Sequence, residues 1–286
     1  MGRPLLLLAI SPVYIIGALI ARASGFAWDT RLFSWGFAIL VPAVIAAHYA
    51  NEYADFQTDA LTVRTPFSGG SGVLAEKAGL RRLALGSSWV FLLIGVSLAL
   101  AGYLGGSVTP NALLLWAVGT FGGIAYSLPP FKLAWRGWSE AVNAFLIGIL
   151  LPLYGYSVQT GRLDWRVFAG CVPFALLIFV LILSTNWPDR EADRAVGKRT
   201  LSVRLPADRL RRYYGIAAFL GFALQFALID RILPREVVWS SLPSVPVLLW
   251  AGRRYTRILS PQPTVIALIL LLPLQLGAWI LAGRSL

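Results

Sequence analysis

The fold is decided at two places where an apolar run ends in acidic residues. Residues 51–59 have the sequence Asn-Glu-Tyr-Ala-Asp-Phe-Gln-Thr-Asp, and residues 186–193 have the sequence Asn-Trp-Pro-Asp-Arg-Glu-Ala-Asp. Each contains Asp-x-x-x-Asp, and residues four apart lie on one face of a helix, one turn above the other. If the helices continue that far, the first ladder contains Asn51, Asp55 and Asp59, and the second contains Asn186, Asp189 and Asp193.

The apolar runs that precede these motifs indicate a membrane protein. The chain has 286 residues, of which 57% are hydrophobic, and its mean hydropathy is +0.70. Apolar runs of about 20 residues, the length that an α-helix needs to cross a bilayer, recur along it. Alternating barrel-strand patterning is absent, so we expect the spans to be helices. We predict a single all-α transmembrane domain over residues 1–286.

Nine membrane-spanning helices are predicted. They cover residues 5–22, 32–54, 82–103, 110–128, 139–158, 165–187, 209–229, 236–251 and 263–282. Most of the 25 basic residues then fall in connections on the side of the N-terminus. By the positive-inside rule, we expect the N-terminus and both ladders on the cytoplasmic side of the cell membrane and the C-terminus outside.

The net charge and the cysteine content indicate which binding partners and sites to expect. The net charge of +12 does not indicate nucleic acid, because the basic residues are spread between apolar spans rather than along one polar face. The lipid bilayer is the expected environment, and no obligate protein partner is inferred. The single cysteine, Cys171, excludes an internal disulfide and a cysteine-rich metal site.

The two ladders predict a magnesium site. Carboxylate pairs that face each other form a strongly negative pocket, and Mg²⁺ typically takes one or two carboxylates together with substrate phosphates. A diphosphate substrate is therefore expected, with the metal acting as a Lewis acid on the departing group. Solvated helix ends are the alternative, which we consider weaker because acidic residues at membrane depth are usually functional.

The motifs resemble those of a known family. Asn51-x-x-x-Asp55-x-x-x-Asp59 with Asp189-x-x-x-Asp193 resembles the paired motif of the UbiA superfamily of intramembrane prenyltransferases. Residues 189–205 are similar to the second motif of its menaquinone-type branch, and residues 126–136 resemble its helix 4–5 connection. The resemblance implies Mg²⁺-dependent transfer of a prenyl chain from a prenyl diphosphate to an acceptor, commonly aromatic. It also implies that the metal ligands and catalytic residues are Asp55, Asp59, Asp189 and Asp193, with Asn51 assisting at the metal.

One residue departs from a continuous second ladder. Pro188 precedes Asp189, and proline removes a backbone donor and tends to end or restart a helix. Asn186 can therefore belong to a different helical segment from Asp189. Whether Asn186 contributes to substrate binding stays open at this point.

A glycine-rich loop follows the first ladder. Its glycines, at positions 69, 70 and 72, let backbone amides converge on an anion, and Arg64, Ser68 and Ser71 can add donors. It is not a Walker A loop, and a plain flexible turn is the alternative. Its position beside the first ladder favours a lid that closes over the diphosphate and excludes water.

Further candidates lie elsewhere on the same face. Lys132, Arg136 and Lys198 can pair with diphosphate oxygens, or they can serve only as positive-inside anchors. Tyr126 is a candidate for stabilising an allylic cation through its ring face. His48 lies one turn before the first ladder, either as a base or, more consistent with its position, as a satisfied buried histidine.

The sequence thus predicts an all-α polytopic membrane enzyme with nine transmembrane helices around a central cavity, as in the UbiA fold. The best candidate for the acceptor is 1,4-dihydroxy-2-naphthoate, while homogentisate, 4-hydroxybenzoate, porphyrin and glycerol-ether acceptors stay open. A cation-coupled transporter is the rival from another class. It predicts acidic residues near the centres of spans, whereas the carboxylates here lie at the ends.

Overall fold

The computed structural model describes the backbone of residues 4–65, 67 and 69–283, with side chains from residue 10 onward except at residues 75, 76 and 78. These residues form helices and no extended strand, which confirms the predicted all-α class. The helices are α1 (Pro4–Ala23), α2 (Thr30–Ala54), α3 (Phe56–Leu61), α4 (Val73–Glu76), α5 (Arg81–Leu104), α6 (Pro110–Ser127), α7 (Ser139–Phe145), α8 (Leu151–Thr160), α9 (Trp165–Asn186), α10 (Arg190–Ala195), α11 (Leu201–Arg204), α12 (Ala207–Ala227), α13 (Arg235–Ser240), α14 (Ser244–Arg254) and α15 (Gln262–Ala282). A π-helical turn, Leu146–Leu150, joins α7 to α8.

Five helical segments are long and apolar enough to cross a membrane. They are Thr30–Ala54, Arg81–Leu104, Ser139–Thr160, Trp165–Asn186 and Gln262–Ala282. The other four predicted spans coincide with α1, α6, α12 and the pair α13–α14, so the count of nine stays a prediction. Along α5, the apolar side chains of Trp89, Leu93, Val96 and Leu100 are exposed at helical spacing. Such an outward apolar stripe is typical of a lipid-facing helix.

Side-chain caps mark where three of these helices begin. The carboxylates of Asp29 and Asp164 and the hydroxyl of Thr109 accept backbone N–H groups in the first turns of α2, α9 and α6. Hydrogen bonds join the starts of α2 and α6 to residues at the end of α8, from Asp29 N–H to Gln159 and from Asn111 to the Gly161 carbonyl. These three helices therefore start at one end of the bundle and run in the same direction, towards the acidic motifs.

The helices that flank α2 are held by close backbone contact. An added Cβ at Gly17 of α1 would lie 2.1 Å from the carbonyl oxygen of Pro152, and one at Gly155 would lie 2.4 Å from that of Tyr14. Small residues allow helices in a membrane to approach this closely. The Tyr154 hydroxyl then donates to the Gly36 carbonyl at 2.8 Å, which ties α8 to α2. The helix that carries the first motif is thus packed against a rigid neighbour.

Candidate active site

The first acidic motif spans the junction between α2 and α3. The N–H of Asp55 donates to the Asn51 carbonyl, and the N–H of Asp59 donates to the Asp55 carbonyl, both at 2.8 Å, so helical hydrogen bonding continues through the junction. The side-chain amide of Asn51 also donates to Asp55 Oδ2 at 3.0 Å. The predicted one-turn spacing of Asn51, Asp55 and Asp59 is present in the structure.

The second motif is divided between two helices. The N–H of Asp193 donates to the Asp189 carbonyl at 2.8 Å, so these two carboxylates are one turn apart. Asn186 lies at the end of α9, and Pro188 separates it from α10. Its amide donates to Glu140 Oε1 at 2.9 Å. The prediction of one stripe through all three residues is therefore wrong for Asn186, because the chain leaves α9 before Asp189 and the amide faces α7.

A lysine bridges the two motifs. Gly197 has a positive φ of 81°, and the chain turns there so that the N–H of Lys198 donates to the Asp193 carbonyl at 2.9 Å. The Lys198 Nζ atom then lies 3.0 Å from Asp55 Oδ2 and 3.5 Å from Asp193 Oδ1. Burial by itself would lower the pKa of this ammonium, but Asp55 and Asp193 outweigh that effect and hold it above its usual value. Lys198 therefore carries a positive charge between the motifs.

The four carboxylates interact electrostatically across this site. Burial, followed by the charges of Asp193, Asp59 and Asp55, raises the pKa of Asp189 to about 7. Burial is also the largest cause that raises the pKa of Asp193 to about 6, and Lys198 opposes the increase. Lys198 therefore offsets only part of the burial and of the mutual repulsion of these carboxylates.

The carboxylate oxygens fit a magnesium ion. Asp189 Oδ1 accepts no hydrogen bond in the described structure, and Asp193 Oδ1 has only its long ion pair with Lys198. Hard divalent cations prefer such oxygens, and Mg²⁺ completes its shell with phosphate and water. Among the described residues, no three or more histidine, cysteine or acidic side chains converge closely enough to hold an ion by themselves. A metal ion bound at these carboxylates would therefore need further ligands from phosphate or water.

The connection between α6 and α7 supplies a residue that the sequence reasoning missed. The indole N–H of Trp135 donates to Asp55 Oδ1 at 3.2 Å. Its backbone carbonyl accepts the N–H of Arg199 at 3.0 Å. Trp135 thus contacts the first motif and the segment that carries Lys198. The available signal was an aromatic residue within the connection already matched to the family.

The two basic residues predicted in this connection contact other groups. The ammonium of Lys132 lies 5.0 Å from the centre of the Trp135 ring, a cation–π arrangement. The guanidinium of Arg136 donates to the Pro130 carbonyl at 2.9 Å, and this residue is exposed. Their predicted contact with a diphosphate stays a prediction.

A buried polar network joins the ends of α6, α7 and α9. The Tyr126 hydroxyl and the Ser139 hydroxyl are 2.7 Å apart, and Asn186 donates to Ser139 at 3.2 Å. Glu140 is fully buried and accepts from Asn186 at 2.9 Å and from the N–H of Leu201 at 3.1 Å. Glu140 therefore binds residues on both sides of the second motif, Asn186 before it and Leu201 after it. The sequence reasoning missed Glu140, although an acidic residue inside an apolar span was a usable signal.

The glycine-rich loop is fastened to α2. The backbone N–H and the hydroxyl of Ser71 both donate to the Glu52 carboxylate at 2.8 Å. The guanidinium of Arg64 donates to the Ser71 carbonyl. Both predicted donors therefore have partners inside the protein, and their role towards a diphosphate stays a prediction. The third predicted donor, Ser68, lies outside the described residues.

The same loop packs directly on the first motif. Gly70 has a positive φ of 67°, and an added Cβ there would lie 1.9 Å from Asp59 Oδ2. Only glycine lets the backbone approach the carboxylate in this way. The loop therefore contacts Asp59 directly, and its role as a lid over a diphosphate stays a prediction.

Comparison with known proteins identifies the family to which this arrangement of two facing motifs belongs. A model of the UbiA prenyltransferase family matches residues 9–267. The chain belongs to this family. The resemblance predicted from the motifs is thereby confirmed, and this UbiA family member is a multi-pass membrane protein.

Two solved structures share the UbiA fold. A UbiA homolog from Aeropyrum pernix K1, solved in its apo form, has a TM-score of 0.74 at 16% identity, over 98% of each chain. A UbiA homolog from Archaeoglobus fulgidus, bound to DMAPP and Mg²⁺, has a TM-score of 0.69 at 16% identity, also over 98% of each chain. At this identity, the matches establish the fold alone.

Curated relatives include enzymes that act on naphthalene-derived acceptors. The chain is 27% identical to 1,4-dihydroxy-2-naphthoate octaprenyltransferase of Bacillus subtilis over 161 residues, which are 56% of this chain and half the length of that protein. It is 26% identical to 2-carboxy-1,4-naphthoquinone phytyltransferase of Synechocystis over 251 residues, which are 87% of this chain and 77% of that protein.

Proposed function

We propose that this protein transfers a polyprenyl group from a prenyl diphosphate to an aromatic quinone precursor within the membrane, with Mg²⁺ as cofactor. The observation that carries the proposal is the meeting of two aspartate pairs at one end of the bundle, with Lys198 between them at 3.0 Å from Asp55 and 3.5 Å from Asp193. Carboxylates from both motifs beside one lysine suit a diphosphate that arrives with divalent cations.

The side chains of the two motifs would divide the work of binding. Asp55, Asp59, Asp189 and Asp193 would hold Mg²⁺, which neutralises the charge that develops on a departing diphosphate. Asn51 would assist by holding Asp55 through its 3.0 Å hydrogen bond. Lys198 would exchange its carboxylate partners for diphosphate oxygens, since a divalent cation would neutralise the carboxylate charge that attracts the ammonium.

Water exclusion is the second requirement of the proposed reaction. Departure of the diphosphate leaves an allylic cation, which water would quench. The loop at Gly70 covers Asp59, and Glu52 fastens that loop through Ser71. The ring of Tyr126, next to Ser139, supplies an aromatic face near the site. The apolar bundle would hold the prenyl chain while a ring carbon of the acceptor bonds to it, and the ring would then lose the proton or carboxyl group at that carbon to restore its aromaticity.

The acceptor proposed is 1,4-dihydroxy-2-naphthoate. Support comes from the named substrates of the Bacillus subtilis and Synechocystis relatives at 26–27% identity. The biased distribution of basic residues supports a cell-membrane location with the N-terminus and the site facing the cytoplasm. Homogentisate and 4-hydroxybenzoate belong in the same assay as competing acceptors.

The test is a prenyl transfer assay with purified protein in lipid. Radiolabelled geranylgeranyl diphosphate is supplied with each acceptor, in Mg²⁺ or in EDTA, to the wild type, Asp55→Ala and Asp189→Asn. We expect one prenylated product, lost in EDTA and reduced at least about 100-fold in both variants, since each removes a charged group from the reacting site. Asp230→Asn is the control, because Asp230 pairs with Arg235 on an exposed surface. Equal product from both motif variants and the control would refute the proposal.

A further inference from the structure

The two oxygens of the Asp55 carboxylate accept hydrogen bonds from different donors, and Trp135 binds one of them. The indole N–H of Trp135 donates to Oδ1 at 3.2 Å. Oδ2 accepts from the side-chain amide of Asn51 at 3.0 Å and from Lys198 Nζ at 3.0 Å. One oxygen therefore accepts from a neutral donor alone, and the other accepts from a neutral donor and from a cation.

The two oxygens respond differently to a divalent cation. An ammonium and a metal ion compete for Oδ2, because both are attracted by the same negative charge. The indole carries no charge and belongs to a rigid ring, so its hydrogen bond to Oδ1 is unaffected by that exchange. A donor outside the coordination shell that holds one oxygen of a carboxylate orients the other towards the metal.

The ring of Trp135 is itself held in place. The ammonium of Lys132 lies 5.0 Å from the ring centre, and the N–H of Trp135 donates to the Lys132 carbonyl at 2.9 Å. The carbonyl of Trp135 accepts the N–H of Arg199 at 3.0 Å, one residue after Lys198. The same residue therefore fixes the orientation of Asp55 and the start point of the lysine side chain that Asp55 binds.

We propose that Trp135 is a positioning residue that turns Asp55 Oδ2 towards the cation, through the indole N–H bonded to Oδ1. The inference rests on the proposed role of Asp55 as a metal ligand. It assigns a function to Trp135, which is half-buried, whereas Trp138 in the same connection is exposed.

The test removes the N–H and keeps the ring, in Trp135→Phe. We expect the Mn²⁺ dissociation constant, measured by electron paramagnetic resonance with inorganic pyrophosphate present, to rise about 10–100-fold, the usual effect of losing an outer-shell partner. The Mg²⁺ concentration for half-maximal prenyl transfer should rise by the same factor, while kcat at saturating Mg²⁺ changes much less. Trp138→Phe is the matched control, because Trp138 lies three residues further on and is 59% exposed.

The outcomes separate the two proposals. If wild type binds Mn²⁺ and Asp55→Asn does not, while Trp135→Phe binds as Trp138→Phe does, the role of Trp135 is refuted and the cation site stands. If Trp135→Phe lowers the melting temperature and kcat with unchanged cation dependence, Trp135 only packs the connection and the inference is also overturned. If wild type binds no Mn²⁺, the cation site of the proposed function fails together with the inference.

Discussion

Replacing Lys198 with methionine tests what holds the two motifs together in the absence of metal. Methionine keeps much of the length and the apolar stem of the side chain but removes the ammonium. Asp55 Oδ2 then loses its 3.0 Å partner and Asp193 Oδ1 loses its 3.5 Å partner. Both carboxylates stay in a buried site that already contains two others.

The expected loss of stability in Lys198→Met follows from the burial of the three paired side chains. The side chains of Lys198, Asp55 and Asp193 are only 10%, 12% and 1% exposed, so solvent screens their attraction weakly. Removing one partner from a buried ion pair costs about 3–5 kcal/mol. Asp193, whose pKa is raised to about 6, can take up a proton instead of staying charged. We therefore expect the lower limit, a loss of about 3 kcal/mol at neutral pH.

The assay is thermal unfolding in lipid nanodiscs, followed by tryptophan fluorescence in EDTA and in Mg²⁺. A loss of about 3 kcal/mol corresponds to a fall in the melting temperature of about 6–12 °C for a chain of this size. Added Mg²⁺ should stabilise Lys198→Met more than it stabilises the wild type, because the metal replaces the missing positive charge. Lys77→Met is the control, since Lys77 is exposed.

Two results would refute this reasoning. If Lys198→Met and Lys77→Met melt at the same temperature in EDTA, the bridging lysine contributes no net stability. If Mg²⁺ raises the melting temperature of Lys198→Met and the wild type by the same amount, the ammonium and the metal do not compensate the same carboxylates.

Two further predictions concern the same site. The pKa values of Asp189 and Asp193 are raised from 3.8 to about 7 and about 6, so their contribution to stability is full below pH 3.8 and is lost as pH rises to about 7. The melting temperature in EDTA should therefore fall from pH 5 to pH 7.5, and Asp189→Asn should flatten that fall; an unchanged slope in the variant would contradict the assignment. Gly70→Ala should lower prenyl transfer by at least about tenfold and speed proteolysis of the loop, because its Cβ would lie 1.9 Å from Asp59 Oδ2 at a positive φ. Gly79→Ala, where an added Cβ meets no atom within 4 Å, is the control, and equal cleavage of both variants would count against a packed lid.

The one-turn spacing within each pair of aspartates was predictable because it depends on local geometry. Residues four apart in a helix share a face whatever the rest of the chain does, and the bonds from Asp59 to Asp55 and from Asp193 to Asp189 follow that rule. Pro188 signalled the break in the helix before Asp189. The structure shows that Asn186 belongs to α9 and not to the helical segment of Asp189.

Contacts between distant segments were beyond the reach of spacing arguments. Lys198 was predicted to bind diphosphate or to anchor the chain, but its bridge to Asp55 depends on a return of the chain at Gly197 and on a partner 143 residues away. Trp135 reaches Asp55 only because the α6–α7 connection folds over the end of α2. No local pattern encodes such a meeting, since it arises from the packing of the whole bundle.

The π-helical turn between α7 and α8 constrains how this chain can change in length. It contains one residue more than an α-helix would need over the same distance, and it lies against α9, where an added Cβ at Gly148 would be 2.3 Å from the Ala175 Cα. Loss of one residue from this turn would leave an ordinary α-helical turn, and Glu140 and Tyr154 would keep their relative orientation. Loss of one residue from α7 or α8 would instead rotate Glu140 by about 100° relative to Tyr154, because each α-helical residue adds that angle. Single-residue deletions should therefore be tolerated in the π-helical turn and not in the helices on either side of it.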